Sequence, residues 1–188
     1  MTSMVADGTP MLAPEPCTTH DGLPISPEPP YGTTVVVRAE SPEGTRYLLL
    51  HRAHHGADFE GDWAWTPPAG ARQPGEDVRQ AALRELAEEA GPHLVALAEG
   101  LCPIAGGEGE CARFLLDVPW GVRVELVDPE HDRWEWVSLE EGLRRCRPAP
   151  VADTLRVAAQ HPSAERSGSE TPTSPSDRED VDGAARGI

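Results

Sequence analysis

Three glutamates follow Arg84 at intervals of one, four and five residues: Glu85, Glu88 and Glu89. In an α-helix, residues three and four apart share a face, so a helix here would gather the three carboxylates into one patch. The patch would lie in the last turn before Gly91, where the helix dipole disfavours negative charge. A cation would relieve both penalties, and Mg²⁺ takes oxygen ligands and works with substrate phosphates. The spacing therefore predicts a divalent-metal site on this helix.

The composition limits the ligands that such a site would serve. A chain of 188 residues is long enough for one ordinary domain plus tails. Its net charge of −16 and pI near 4.7 argue against a nucleic-acid duplex as partner, because duplex binding needs a basic surface. A small phosphorylated ligand is compatible with this charge, since a bound metal ion reverses the local field.

The cysteines and the hydropathy pattern bear on the compartment. The four cysteines form no C-x-x-C pair, which disfavours a zinc site or a disulfide framework and favours reduced thiols. The N-terminus does not resemble a signal peptide, and no stretch is long and apolar enough to span a bilayer. We therefore expect a cytoplasmic protein without a membrane partner.

The domain boundaries follow from shifts in composition. Residues 1–30 are rich in Pro, Thr and Ser, and residues 162–188 mix Ser, Pro, Thr and Gly with acidic residues. Such segments bury too little apolar surface to offset the entropy lost on ordering. The sequence thus predicts a disordered N-terminal tail (1–30), one folded domain (31–161) and a disordered C-terminal tail (162–188).

Interspersed strands and helices within that domain predict an α/β fold with a mixed sheet. The helix at 78–90 has an apolar stripe roughly opposite the three carboxylates, so one face would pack on the sheet and the other would line a cleft. Two further helices are predicted, at 139–146 and 151–160. The predicted strands are 33–38 and 47–52, which flank a turn at 41–44, a short edge strand at 61–65, and 94–98, 112–118 and 134–137.

The fixed positions around the glutamates resemble the Nudix box. Gly70 is followed after five residues by Glu76, and after seven more by Arg84-Glu85-Leu86. Glu88-Glu89 and Gly91 complete the pattern in register. Because so many polar and glycine positions agree at once, the chain resembles the Nudix hydrolase family.

The flanks of the box extend this resemblance to about residues 33–160. The approach at residues 65–70 and the strand-then-helix segment at 135–141 are both similar to those of the family. Two positions depart from the pattern: Pro92 stands where a bulky aliphatic residue is usual, and Ala69 where glycine is common. Neither departure removes a ligand.

The resemblance implies an α/β/α sandwich in which a loop–helix–loop binds Mg²⁺ or Mn²⁺, and in which water cleaves a phosphoanhydride bond. Glu76 and Arg84 would form a pair that orients the loop and the glutamates. The glutamates would also be catalytic, since one carboxylate accepts a proton from the attacking water. The implied metal ligands are Glu85, Glu88, Glu89 and, as a further candidate, the Gly70 carbonyl.

Three residues outside the box are also candidates for the site. Glu130 lies five residues before Glu135, in a loop that supplies a ligand or a base in some Nudix relatives. Arg52 ends the second predicted strand and could reach a substrate phosphate, although an exposed arginine at a strand end is the alternative. Trp63 could stack on a base or, alternatively, cover the core.

The sequence leaves the substrate and three functional classes open. The first is a hydrolase of a nucleotide or related diphosphate, with nucleoside triphosphates and nucleotide sugars as candidates. The chain lacks a tyrosine downstream of the box, which weakly disfavours dinucleoside polyphosphates. The second is a regulatory nucleotide-binding domain with little turnover, although such domains often lose box glutamates. The third is a scaffold that acts through its tails. The resemblance is compatible with a homodimer, and no sequence feature decides it.

Overall fold

A computed structural model of the protein describes residues 17–19, 22–106 and 109–162. The helices are α1 (Val78–Ala90), α2 (Pro92–Val95), α3 (Leu139–Arg145) and α4 (Ala149–Gln160), with 3₁₀ turns at Ala53–His55 and Ala98–Gly100. The strands are β1 (Gly32–Ser41), β2 (Gly44–Arg52), β3 (Trp65–Thr66), β4 (Ala69–Ala71), β5 (Cys102–Pro103), β6 (Cys111–Val118) and β7 (His131–Val137).

Within the described residues, seven strands form one mixed sheet. β1 pairs antiparallel with β2 and parallel with β6, β5 continues the sheet beyond β6, and β7 pairs with β2. The two short strands on either side of Pro67-Pro68 divide their pairing, since β3 pairs with β2 and β4 pairs with β1. This arrangement places residues 65–71, which lead into the box, against β1 and β2.

Two hydrophobic layers pack on opposite faces of the sheet. The first contains Val35, Val37, Leu50 and Leu116 together with Ala82, Leu86 and Ala90 of α1. The second contains Val36, Leu49, Leu115 and Val137 together with Val151, Leu155 and Ala158 of α4. Alternate residues of a strand point to opposite faces, so the runs at 35–37 and 48–50 serve both layers. The α/β/α sandwich predicted from the sequence is confirmed.

Helix α1 begins and ends at the residues that the sequence predicts. The Asp77 side chain accepts hydrogen bonds from the backbone N–H groups of Arg79 and Gln80 at 2.9 and 3.1 Å, which caps the first turn. Gly91 stops the helix with a φ of 99°, a conformation that favours glycine. Pro92 then occupies the first turn of α2, where its missing N–H costs nothing.

The predicted strand at 94–98 is wrong. Residues 92–95 form α2, and a 3₁₀ turn follows at 98–100. The apolar run here is too short for its periodicity to separate strand from helix. Leu94 is fully buried against α1 and the first layer, so packing decides the conformation.

Two other predicted elements change in length. The edge strand expected at 61–65 is reduced to β3, because residues 61–64 form turns and Trp63 has a φ of 66°. β7 begins at His131, three residues before the predicted start, and pairs with β2 through an irregularity at His51 and Arg52. The predicted helices at 139–146 and 151–160 correspond to α3 and α4.

The predicted N-terminal tail differs from the structure at residues 22–30. Ser26 is buried, and its N–H donates to the carbonyl of Arg72 at 2.7 Å. Composition did not indicate this order, because most of the contacts are backbone hydrogen bonds that carry no hydrophobic pattern. Residues 17–19 and 162 of the predicted tails are also described, whereas residues 1–16, 20–21 and 163–188 lie outside the described residues. None of the described helices is long and apolar enough to cross a bilayer.

Candidate functional site

Two of the three box glutamates are buried. Glu85 and Glu89 are 9% and 4% exposed, whereas the Glu88 side chain is 50% exposed. The sequence predicts an apolar stripe opposite the carboxylates, but Leu83 is only partly buried and the buried face of α1 includes both glutamates. The helix is rotated in this way because α1 packs against β4 as well as β1. The carboxylates therefore face the backbone of residues 69–71.

Arg84 connects the loop at residues 72–77 to helix α1. Its Nε and Nη2 donate to the two carboxylate oxygens of Glu76 at 2.9 and 3.0 Å, and Nη2 also donates to the Ala71 carbonyl at 2.9 Å. Its Nη1 donates to Glu85 at 2.8 Å and to Glu88 at 3.1 Å. The paired contact to Glu76 is a fork geometry that only arginine provides. Arg84 thus links three acidic residues that would otherwise repel one another.

Gly70 and Ala69 let the buried carboxylates approach the backbone closely. A β-carbon at Gly70 would lie 2.2 Å from Cδ of Glu85, so only glycine leaves room for that side chain. The N–H of Ala69 donates to Oε2 of Glu89 at 2.8 Å. Glycine is therefore not needed at position 69 for this contact. Gly70 lies opposite Thr33 in the β1–β4 pair.

Glu130 and Arg52 form an ion pair across from the glutamates of α1, and both pairs of groups line one cavity. Arg52 Nη1 donates to Oε1 of Glu130 at 2.5 Å, although the two residues are 78 positions apart. The Nε of Arg52 is buried and has no hydrogen-bond partner among the described residues. Neighbouring His131 is also buried, and its Nδ1 lies 3.9 Å from Oε1 of Glu89. These contacts bring the start of β7 to the buried end of α1.

A cavity of about 340 Å³ joins these groups. Asp128 also lines it, and sequence reasoning missed this residue. The Asp128 side chain accepts from the N–H of Glu130 at 2.7 Å, and its own N–H donates to the Glu88 carbonyl at 3.0 Å. The Asp-Pro pair at 128–129 is a turn signal that could have indicated it. The other lining residues are Thr19, Leu23, Pro24, Arg52, Ala69, Gly70, Ala71, Gln73, Arg84, Glu85, Glu88, Glu89 and Glu130.

Burial makes the two inner glutamates costly to ionise. The pKa of Glu89 is raised well above its usual value by burial, and the charges of Glu85 and Glu130 raise it further. Burial also raises the pKa of Glu85, which the guanidinium of Arg84 partly offsets. Burial lowers the pKa of His131 to about 4, so this imidazole is neutral near pH 7. A positive partner in the cavity would stabilise both carboxylates.

Trp63 does not line the glutamate cavity. It borders a second cavity of about 110 Å³ on the α4 side of the sheet, and the two cavities share only Ala69 among the described residues. Trp63 is 51% exposed, so it is not part of the buried core. A contact between Trp63 and substrate stays a prediction.

The donor set fits a hard divalent cation, although the carboxylates are not gathered around one point. Among residues 17–19, 22–106 and 109–162, no three His, Cys, Asp or Glu side chains are arranged to hold a metal ion. The reason is that Arg84 holds Glu85 and Glu88, while the Ala69 amide holds Glu89. The available donors are all oxygens, as Mg²⁺ and Mn²⁺ prefer. Binding a cation would require Arg84 to release or share its glutamates.

Comparison with known proteins decides the family. The sequence matches the family model of the NUDIX domain over residues 29–156. The chain belongs to the Nudix family. Hydrolases of this family act on pyrophosphate bonds and generally use divalent metals.

Individual Nudix relatives cover different shares of the chain. A bis(5′-nucleosyl)-tetraphosphatase (asymmetrical) of Caenorhabditis elegans is 33% identical over 98 residues, which are 49% of this chain and 71% of that protein. The crystal structure of a C. elegans Ap4A hydrolase binary complex matches 68% of this chain and 93% of that one, with 26% identity and a TM-score of 0.52.

A longer match joins this Nudix domain to a protein with a different name. An octanoyltransferase of Myxococcus xanthus is 32% identical over 154 residues, which are 76% of this chain. The chain spans only 40% of the length of that protein. A match to less than half of that protein assigns no transferase activity to this chain.

Proposed function

We propose that this Nudix domain is a divalent-metal-dependent hydrolase that cleaves a phosphoanhydride bond in a nucleoside diphosphate-linked compound. The observation that carries the proposal is the burial of Glu85 and Glu89 beside the Gly70 backbone, in a cavity that also contains Glu88 and Glu130. Burying two acidic groups without enough positive charge is unfavourable, so this arrangement favours a cation as the missing partner.

Glu85, Glu88 and Glu89 would hold the ion, with the Gly70 carbonyl as a further candidate ligand. A bound Mg²⁺ or Mn²⁺ would supply charge neutralisation of the phosphate oxygens and a lower pKa for attacking water. Before an ion binds, Arg84 would hold Glu85 and Glu88 by hydrogen bonds, and Glu76 would keep Arg84 in position. Both would act by positioning the ligands.

Arg52 and Glu130 would exchange partners when substrate binds. Arg52 now donates to Glu130, while its buried Nε lacks a partner among the described residues. A phosphate in the cavity offers a guanidinium more acceptor oxygens in a matching geometry than one carboxylate oxygen does. Once Arg52 turns to the phosphate, Glu130 is free to accept a proton from attacking water. Glu89 is the other candidate base, since its carboxyl is buried in the same cavity as Glu85 and Glu130.

The substrate would carry at least one nucleoside. Nucleoside triphosphates and nucleotide sugars remain candidates, and the similarity to a bis(5′-nucleosyl)-tetraphosphatase adds dinucleoside polyphosphates. Trp63 would contact a base only where the substrate extends past Ala69 into the second cavity. The proposal includes neither a nucleic-acid duplex nor a membrane as partner, and it places the enzyme in the cytoplasm.

A substrate panel tests the proposal. Purified protein is incubated with Mg²⁺ and each of the three substrate classes, and the products are identified by mass. We expect turnover of at least one class, and a loss of about 100-fold or more in Glu89→Gln. Glu140→Gln is the matched control, because Glu140 is an exposed glutamate on α3, on the opposite face of the sheet. Equal loss in both variants would argue against a role for Glu89.

Direct metal binding separates the enzyme from the regulatory alternative. Calorimetric titration with Mn²⁺ should show an ion bound by wild type and a weaker affinity in Glu88→Gln. Ion and nucleotide binding without release of product, under any divalent metal, would support a regulatory domain. No ion uptake with or without nucleotide would overturn the proposed mechanism.

A further inference from the structure

The segment at residues 22–30 precedes most of the region that matches the family, yet it forms part of the catalytic cavity. Thr18 and Pro24 form an antiparallel bridge, and the N–H of Ile25 donates to the Cys17 carbonyl at 2.8 Å. We name residues 22–30 the N-terminal wall. The bridge gives the wall a fixed shape beside the cavity.

Arg72 anchors the N-terminal wall to the catalytic loop. Its Nη2 donates to the Glu28 carbonyl at 2.6 Å and its Nε to the Pro30 carbonyl at 2.8 Å. Its Nη1 donates to the carbonyl of Glu76, the residue that pairs with Arg84. In return, the N–H of Ser26 donates to the Arg72 carbonyl at 2.7 Å. One arginine therefore holds both the wall and the loop that leads to α1.

The wall brings an apolar side chain to a cavity of charged groups. Leu23 and Pro24 line the cavity together with five carboxylates and two guanidinium groups. Leu23 is 51% exposed, so half of its surface is available for further burial. Phosphate oxygens gain nothing from such a surface, whereas a base or a ribose buries apolar area against it.

We propose that Leu23, supported by Pro24, is a specificity-determining residue that contacts the nucleoside of the substrate while the phosphates lie among the box glutamates. The inference rests on the part of the proposed function that places a nucleotide in this cavity, and it does not require turnover. It assigns a role to a segment that lies largely outside the family match, residues 29–156. Trp63 borders a different cavity and cannot make the same contact.

Equilibrium binding tests the inference without requiring turnover. The probes are adenosine 5′-(β,γ-methylene)triphosphate and inorganic tripolyphosphate, each titrated with Mg²⁺ into the full chain. The two probes have phosphate chains of equal length, and only the first carries a nucleoside. We expect Leu23→Ser to weaken nucleotide binding about five- to tenfold, which corresponds to the loss of roughly half of the apolar burial of a leucine side chain. Tripolyphosphate binding should change by less than about twofold.

Two variants at the same position keep the test decisive. Leu23→Met preserves an apolar side chain of similar volume and should bind both probes like wild type. If the circular dichroism spectrum of Leu23→Ser shows that this variant is unfolded, Leu23→Ala is used in its place. Equal weakening for both probes would overturn the inference, as would unchanged nucleotide binding or a wild type that binds nucleotide no more tightly than tripolyphosphate. A wild type that prefers nucleotide through Leu23 but turns nothing over would retain this inference and reject the hydrolase.

Discussion

Replacing Arg84 with lysine removes the forked contact with Glu76 that positions the loop at residues 72–77. In the wild type, Nε and Nη2 reach the two carboxylate oxygens of Glu76 at 2.9 and 3.0 Å, and Nη2 also reaches the Ala71 carbonyl at 2.9 Å. A lysine ammonium retains the positive charge but is a single point, so it cannot reproduce these contacts together. The Glu76 side chain is 17% exposed, so water replaces the lost hydrogen bonds only in part.

The structure sets the size of the expected loss. Hydrogen bonds to charged groups contribute about 1.5–3 kcal/mol each, and lysine loses at least one of the Glu76 pair. Because the Arg84 side chain is 25% exposed, solvent moderates this loss. We expect the free energy of unfolding to fall by roughly 2–3 kcal/mol, which lowers Tm by roughly 4–10 °C for a domain of this size.

Urea denaturation followed by circular dichroism, at pH 7.5 without added metal, measures this loss. Arg156→Lys is the matched control, because Arg156 is an exposed α4 residue whose ion pair is with Asp153 one turn away. Its substitution should change the free energy of unfolding by less than about 0.5 kcal/mol. If Arg84→Lys also stays within that range, the fork to Glu76 does not stabilise the loop.

Three other changes have expected outcomes. Gly70→Ala forces the Glu85 carboxyl away by about 1 Å or more to restore van der Waals contact, and should weaken Mn²⁺ binding about tenfold in calorimetry, whereas Gly109→Ala, which has open space around it, should not. Between pH 6.5 and 4 the unfolded chain binds a proton that buried His131 does not, so His131 contributes a fall of up to about 3 kcal/mol in the free energy of unfolding as pH drops, opposite in sign to the contribution of Glu85 and Glu89, whose pKa values are raised. His131→Gln should remove the His131 contribution, which the difference between the two pH profiles in urea denaturation measures. An unchanged slope would contradict this assignment. Leu155→Ala should cost about 2–5 kcal/mol in urea denaturation because Leu155 is fully buried on α4, and should leave Mn²⁺ affinity unchanged.

Local patterns predict the bounds of α1 well. The apolar periodicity and the stop at Gly91 both depend on residues within a few positions of one another. The predicted hairpin of β1 and β2 is confirmed for the same reason, since its apolar runs flank a recognisable turn. The strand predicted at 94–98 is wrong because several conformations suit a short apolar stretch, and the packing of Leu94 selects the helix among them.

Contacts between distant segments were beyond local patterns. The sequence indicates both Arg52 and Glu130 as candidates, but their ion pair depends on β2 and β7 lying side by side. The contribution of Leu23 to the cavity depends on the contacts of Arg72 with residues 22–30. The composition of residues 1–30 instead predicts a tail. The burial of Glu85 depends on the rotation of α1 against β4.

The sequence by itself determined the family, the layered α/β architecture and the helix that bears the three glutamates, because these follow from spacing along one continuous stretch of chain. The tertiary structure decided which glutamates are buried, which arginine faces which acid and which segments close the cavity. The physical reason is that burial and electrostatic partnership are set by the packing of elements far apart in the chain, and sequence spacing does not encode that packing locally.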